Sequence, residues 1–311
     1  MENSRVKLAV KPKKEKGYKY FFMILPFLIL VFLFSYFPLH GWIYSFYDFR
    51  PALGLAGSEF VGLRWFNMLF GNPAQLRELG RVMRNTFAMS FLTLATSILP
   101  LFMAILLNEM NNKPFKKIVQ ILTTLPNFIS WVLVYSIAFM MFSHTGMVNT
   151  ILQNLGIIDS AIRFLDTDRH TWLQMLAWST WKGLGWGAII YLAAIAGIDQ
   201  ELYEAARVDG ASRFQLMRYI TFPGLLPTYL VLLLLGVANI LNNGLEQFFV
   251  FQNAFNRANI EVLDLYIFNI GIAAGNISLA TIIGMLKSII SIVLLFSVNF
   301  VAKKLRGDSI I

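Results

Sequence analysis

The chain has 311 residues, of which 57% are hydrophobic and 14% charged, with no cysteine and a formal net charge of +9. Soluble domains carry about 45–50% apolar and about 25% charged residues, so this composition excludes an ordinary soluble enzyme and points to a membrane. The missing cysteines exclude disulfides, thiolate metal sites and a cysteine nucleophile.

A transmembrane helix needs about 20 largely apolar residues. Hydropathy places such runs at about 20–46, 85–107, 118–142, 173–198, 226–248 and 278–302. The expectation is an all-α polytopic membrane protein of about six spans. A basic tail (1–19) precedes the transmembrane domain (20–302), and a short tail (303–311) follows it. The Lys-rich segment Lys7–Lys19 reads as a solvated tail near anionic headgroups. The run from Tyr20 to Phe37 is long for a secretory signal, and no small-residue cleavage site follows it, so it reads as a retained first helix.

Basic residues cluster in the first tail, in Lys113–Lys117, in Arg207–Arg218 and in Lys303–Arg306, whereas the segments on the other side are nearly balanced in sign. The positive-inside rule then puts both termini in the cytoplasm. The charge excess is an orientation signal, and nucleic acid is not needed to explain it. The external segments Asp48–Arg84 and Ser143–Thr171 are too long for minimal turns.

In the fourth predicted helix, Lys182 is flanked by Trp178, Trp181 and Trp186, and Gly183, Gly185 and Gly187 offer close helix packing. A charge at helix-centre depth costs roughly 2.5–3.5 kcal/mol, so Lys182 and Lys287 both call for a role. The fifth predicted helix carries Asn239, Asn242, Asn243 and Glu246 at i, i+3, i+4 and i+7, which places them on one face of a continuous helix. Together these residues make a polar layer just outside the midplane, read as the wall of a water-filled pathway with flat apolar tryptophan faces beside it. The alternatives are the interfacial aromatic belt for the tryptophans and outward snorkelling for Lys182. For Lys287 the alternative is pairing with a partner subunit or with Glu246, and for the asparagines interhelical hydrogen bonding.

The connection from Asp199 to Pro227 is helical in pattern. Leu202, Ala205, Ala206, Phe214, Leu216, Met217 and Ile220 fit two short amphipathic helices, and Gly210 permits a turn between them. Its acidic residues suit protein better than anionic lipid, so it reads as a docking element. No phosphate-cradling G-x-x-x-x-G-K-[ST] loop, H-E-x-x-H pair or G-x-S-x-G elbow occurs, and the chain is expected to be no enzyme.

The residues Glu204-Ala-Ala, Gly210 and Ile220-Thr-Phe-Pro223, at their spacing, resemble the EAA loop of inner-membrane permeases of ATP-binding-cassette importers; Phe222 departs from the usual leucine. Val61–Phe70, Arg84–Phe91, Ala104–Met110, Phe115–Val132 and Leu245–Ile272 are similar to sugar-importer permeases. More narrowly, they resemble the branch handling polysaccharide-derived oligosaccharides, the lipoprotein-linked and alginate-type permeases.

The resemblance implies a type I importer permease fold working by alternating access, with residues 199–223 as the coupling loop. Glu204, Ala205, Ala206 and Gly210 would make the ATPase contact, flanked by Arg207 and Asp209. It implies a second permease chain, paired with this one as a heterodimer, two ATPase subunits that carry ATP and Mg, and an extracytoplasmic solute-binding protein. No cofactor and no metal is expected on this chain. If both lysines face the pathway, an anionic sugar is favoured over a neutral one. The rival is an ion-gradient-driven secondary transporter of a polar solute, which should show a carboxylate inside a helix; apart from Glu246, hydropathy leaves none there.

Overall fold

The computed structural model describes residues 18–306, so the two tails, apart from Tyr18–Lys19 and Lys303–Arg306, lie outside the described residues. Helix α1 (Tyr18–Val31) continues through a π turn at Phe32–Tyr36 and a 3-10 stretch at Phe37–Phe46. No residue of α1 is buried, and Phe22, Met23 and Phe27 are among its exposed side chains. An apolar helix can present such a surface to hydrocarbon because its backbone groups bond within the helix. A small hairpin follows, β1 (Tyr47–Asp48) antiparallel to β2 (Glu59–Phe60) with Tyr47 opposite Phe60, and then α2 (Arg64–Gly71).

Helix α3 (Pro73–Thr96) begins well before the expected residue 85. Asn72 caps it, accepting from the Ala74 N–H at 2.9 Å, and Pro73 takes the first position, where its missing N–H costs nothing. Its first turns carry Arg77, Glu78, Arg81 and Arg84, which a hydropathy window assigns to a loop. Helix α4 (Leu99–Glu109) completes that span.

The third expected span, 118–142, is not one helix. Helix α5 (Lys113–Thr124) ends in a 3-10 turn at Leu125–Phe128, and α6 (Trp131–Phe142) starts afresh with Ser130 as its cap. Helix α7 (Met147–Asn154) then leads into the loop before α8 (Thr171–Ala196). That loop is held by the fully buried Asn149, whose amide donates to the Ser143 and Ile162 carbonyls and accepts from the Ile162 N–H.

Helix α9 (Gln200–Val208) turns away from α8 by 72°. Helix α10 (Arg213–Leu216) runs through a π turn, Met217–Thr221, into α11 (Phe222–Ala238). The fifth expected span, 226–248, is also corrected, because α11 stops at Ala238 and α12 (Glu246–Phe251) is a separate helix. Short helices α13 (Arg257–Ile260) and α14 (Leu263–Phe268) precede the long α15 (Ile277–Arg306).

Among the described residues, five segments are long and apolar enough to cross a membrane: Tyr18–Phe46, Pro73–Glu109, Trp131–Asn154, Arg213–Ala238 and Ile277–Lys304. The bent pair α8–α9 makes a sixth. Three cores hold them together. One gathers Met89, Val134, Met175, Phe248 and Leu265; a second Leu69, Val82, Tyr266 and Ile282; a third, toward the α9 end, Leu101, Ala188, Tyr191 and Leu225.

Of the three glycines on α8, Gly185 makes the closest approach. A Cβ there would collide with the Thr123 backbone of α5, one at Gly187 would press on Pro100 at 3.1 Å, and one at Gly183 would meet open space. Gly185→Ala is therefore expected to destabilise the fold by about 1–3 kcal/mol, the cost of overpacking a well-packed contact. Gly183→Ala should leave the melting temperature of the detergent-solubilised complex unchanged or raise it, and equal melting of the two variants would refute the close-packing assignment.

Candidate functional site

The segment around α9 is built from local signals. Asp199 caps the helix, accepting from the Glu201 N–H at 2.9 Å. At the other end the Ala211 N–H reaches the Ala206 carbonyl (2.9 Å) and the Gly210 N–H the Arg207 carbonyl (3.1 Å), with Gly210 at φ +82°. This is a Schellman ending, whose left-handed residue favours glycine. Ser212 and Gln215 then form a reciprocal capping box that starts α10.

Helix α9 is seated by Tyr203, which is buried and hydrogen-bonds through its hydroxyl to Thr221 Oγ1 at 3.0 Å. Glu204, Ala205, Arg207, Asp209 and Gly210 are exposed and Ala206 is half-buried, so the six candidate docking residues occupy one short element. Its exposed rim includes Val208 (88% exposed), Leu202, Phe214 and Tyr219. The expected apolar faces are thus only partly right, since Leu202 and Phe214 face outward and Tyr203 with Leu216 turn inward. Behind α9 lies a polar cavity of about 700 Å³ bordered by Glu109, Lys116, Gln120, Arg207 and Arg213.

The second constellation arises at the two helix breaks. A break in a membrane helix strands backbone groups that must find partners inside the protein. At the α5–α6 break, the Lys182 ammonium lies near the Pro126 carbonyl (3.3 Å) and donates to that of Asn127 (2.7 Å), and it sits 5.4 Å from the centre of the Trp131 ring. At the α11–α12 break, Asp264 Oδ2 accepts from the N–H groups of Asn243 and Gly244, both at 3.1 Å, and Asp264 Oδ1 is paired with Lys287. Each lysine lies about 15 Å along its helix from the α8 or α15 start, at ~1.5 Å per residue.

Between the breaks is a cavity of about 340 Å³ lined by Ser90 and Thr93 of α3, Trp131, Ser179, Asn239, Asn242, Asn243 and Gln247, with apolar Met89, Leu94, Ile240 and Phe248 and Gly236. No charged side chain lines it. Asn242 donates to Asn239 Oδ1 (3.2 Å), Asn239 donates to the Leu235 carbonyl (2.9 Å) and Asn243 donates to Ser90 Oγ (2.9 Å). Ser90 in turn donates to the Ile240 carbonyl. Asn243 Oδ1 is buried and accepts nothing.

The structure therefore brings Asn239, Asn242 and Asn243 together, but on a turn with Gly244 at φ +81° and not on one helical face. Glu246 is exposed in the first turn of α12, outside the cavity lining. Lys182 and Lys287 are taken up by the break carbonyls and by Asp264, and neither is in the lining. Trp181 packs edge-on to Trp178 (5.8 Å), and Trp186 edge-on to Phe128 (5.6 Å); neither lines this cavity.

Sequence reasoning missed Ser90 and Thr93, a polar i, i+3 pair in an apolar run, and Trp131 beside the break. It also missed two carboxylates. Glu261 is fully buried against Arg81 at 2.5 Å, and Asp264 pairs with Lys287. Both are engaged by cations, so neither stands free in the way a carrier of coupled protons would.

Comparison with known proteins places these features. Residues 96–307 match the family described as binding-protein-dependent transport system inner membrane component. The chain is 38% identical over 292 residues to protein LplB of Bacillus subtilis, covering 93% of this chain and 90% of that one. It is 36% identical over 318 residues to the polygalacturonan/rhamnogalacturonan transport system permease protein YteP of the same organism, covering 99% and 94%. A chain of the crystal structure of a bacterial alginate ABC transporter, in complex with an alginate pentasaccharide-bound periplasmic protein, superposes with a TM-score of 0.81 at 28% identity, covering 94% of this chain and 96% of that one.

Proposed function

We infer the cargo and the partners from one premise: this chain belongs to the family of binding-protein-dependent transport system inner membrane components. It is the permease of an ATP-binding-cassette sugar importer, a transport subunit with the corresponding helical fold. Its cargo is an oligosaccharide derived from a polysaccharide. The similarity to a polygalacturonan/rhamnogalacturonan permease and to an alginate transporter supports this.

The observation that carries the mechanism is the path from α9 to the cavity. The exposed Glu204–Gly210 surface rests on Tyr203, Tyr203 bonds Thr221, and Thr221 leads directly into α11, whose far end is the Asn239–Gly244 turn. In our reading, partner ATPase chains grip α9, and their closure on ATP and Mg moves α11 and the amide wall, alternating access to the cavity. A second permease chain supplies the other half and the other docking helix. A solute-binding protein delivers the sugar, and both termini face the cytoplasm.

The cavity wall offers amides, hydroxyls and one indole face. Such groups read sugar hydroxyls and ring faces, and on this chain they hold no cation for a carboxylate. With Lys182 and Lys287 otherwise engaged, the argument for an anionic sugar no longer rests on these lysines.

Co-purification tests the reading. A stable complex with an ATPase chain is expected, lost on Glu204→Lys, which reverses an exposed charge, and on Gly210→Pro, which cannot adopt φ +82°. ATP-independent uptake by the isolated chain would instead support an ion-driven carrier. Binding of polygalacturonate, alginate and neutral oligosaccharides to the cognate solute-binding protein would fix the sugar.

A further inference from the structure

Asp264 sits where three elements meet. Its Oδ1 faces Lys287 of α15, its Oδ2 accepts from the Asn243 and Gly244 N–H groups of the broken fifth span, and it is itself part of α14. From Asn243 the connection runs on through the side-chain bond to Ser90 of α3 and back to the Ile240 carbonyl of the same turn. The wall that carries Asn242 and Asn243 is thus fastened at one end by a carboxylate and at the other by a hydroxyl. Only the hydroxyl, of Ser90, is part of the amide cavity's lining; Asp264 and Lys287 are not, so the carboxylate fastening lies outside the cavity.

Neutralising a half-buried cation would require only a negative charge near Lys287. It would not require the second carboxylate oxygen to meet two successive backbone N–H groups at 3.1 Å. Those two groups are what a helix break strands, and they must find partners outside the helix.

We propose that Asp264 is a positioning residue for the sugar pathway, holding the Asn239–Gly244 turn through hydrogen-bond acceptance so that its amides face the cavity, with Lys287 orienting the carboxylate from behind. The inference rests on the reading of this cavity as the pathway. It assigns to Asp264 an acceptor role that asparagine can fill and an apolar residue cannot.

This chain has no cysteine of its own, so a cysteine placed on it is its sole thiol and labelling is read on this subunit. Asn242→Cys is introduced into the complete transporter in membranes, and its labelling by methanethiosulfonate ethylsulfonate, which does not cross membranes, is timed in vesicles of both orientations. Labelling from at least one side is expected of a water-filled pathway, and no labelling from either side would overturn the pathway reading itself. In the same background, Asp264→Asn with Lys287→Met should keep the labelling rate within about twofold. Asp264→Leu with Lys287→Met should change it by about tenfold, the scale of one stranded hydrogen-bonding group. Both pairs remove the charge, so equal rates in the two would show a neutralising ion pair only and overturn the proposal while leaving the pathway standing. If the leucine form does not assemble with its partners, Asp264→Ala with Lys287→Met, which leaves space instead of bulk, carries the same expectation and the same refutation.

Discussion

Arg81→Met is expected to destabilise the assembled protein by about 3–5 kcal/mol, the range for breaking a buried ion pair by removing one partner. Glu261 is 0% exposed, and Arg81 Nη2 lies 2.5 Å from its Oε2. Without Arg81, the remaining support is the Asn269 amide at 2.8 Å and the exposed Arg257 at 3.8 Å. The same Arg81 also donates to the Arg257 carbonyl at 3.0 Å, so it ties α3 to the α13–α14 segment as well as compensating a charge. The arrangement predicts a ranking. Glu78→Gln, which removes the more exposed partner of Arg81, should cost ~0–1 kcal/mol. Arg81→Met with Glu261→Gln should recover most of the loss, because no bare charge is left buried. Melting temperature of the purified complex and the amount of protein in membranes are the readouts, and a double variant no better than Arg81→Met would show that the carboxylate is not what Arg81 protects.

The sequence shows the number of the spans far better than their interruptions. Apolar runs continue across both breaks, so a hydropathy window passes over Pro126 and over the Asn239–Gly244 turn without registering a helix end. A regular i, i+3, i+4, i+7 spacing of polar residues then looked like a helical face, although Gly244 at positive φ and Asp264 behind it make the segment a turn. Lys182 and Lys287 stand out in the sequence because a charge in an apolar helix demands compensation. What compensates them is distant in the chain, backbone carbonyls at Pro126 and Asn127 for one and Asp264 for the other, and no local pattern records such pairings. The fold of the α9–α10 segment is readable for the opposite reason: the Asp199 cap, Gly210 and the Ser212–Gln215 box all act within a few residues of where they stand. Even there the apolar set omits the inward Tyr203, because its anchor is Thr221, beyond the turn.

Tyr203→Ala is expected to cut uptake through the assembled transporter by at least about tenfold while leaving the ATPase partner attached. Truncating a buried aromatic ring costs about 3–5 kcal/mol, and here the ring is the inward anchor of a nine-residue helix whose charged side chains all face out. Since 1.4 kcal/mol corresponds to about tenfold, even a part of that loss, taken from the state in which α9 and α11 move together, uncouples hydrolysis from transport. Glu204, Arg207 and Asp209 remain exposed on the face proposed for docking, which is why attachment should survive. Tyr203→Phe separates the two contributions of the side chain. It keeps the ring and removes only the hydroxyl, and Thr221 retains the Leu216 carbonyl at 3.4 Å as an acceptor, so its cost should stay near 1 kcal/mol. Uptake and ATP hydrolysis measured side by side in proteoliposomes should therefore show hydrolysis persisting without matching transport for Tyr203→Ala and nearly normal coupling for Tyr203→Phe. Normal uptake by Tyr203→Ala would mean that force reaches α11 by another route, and loss of the ATPase from that variant would mean that Tyr203 shapes the docking face itself.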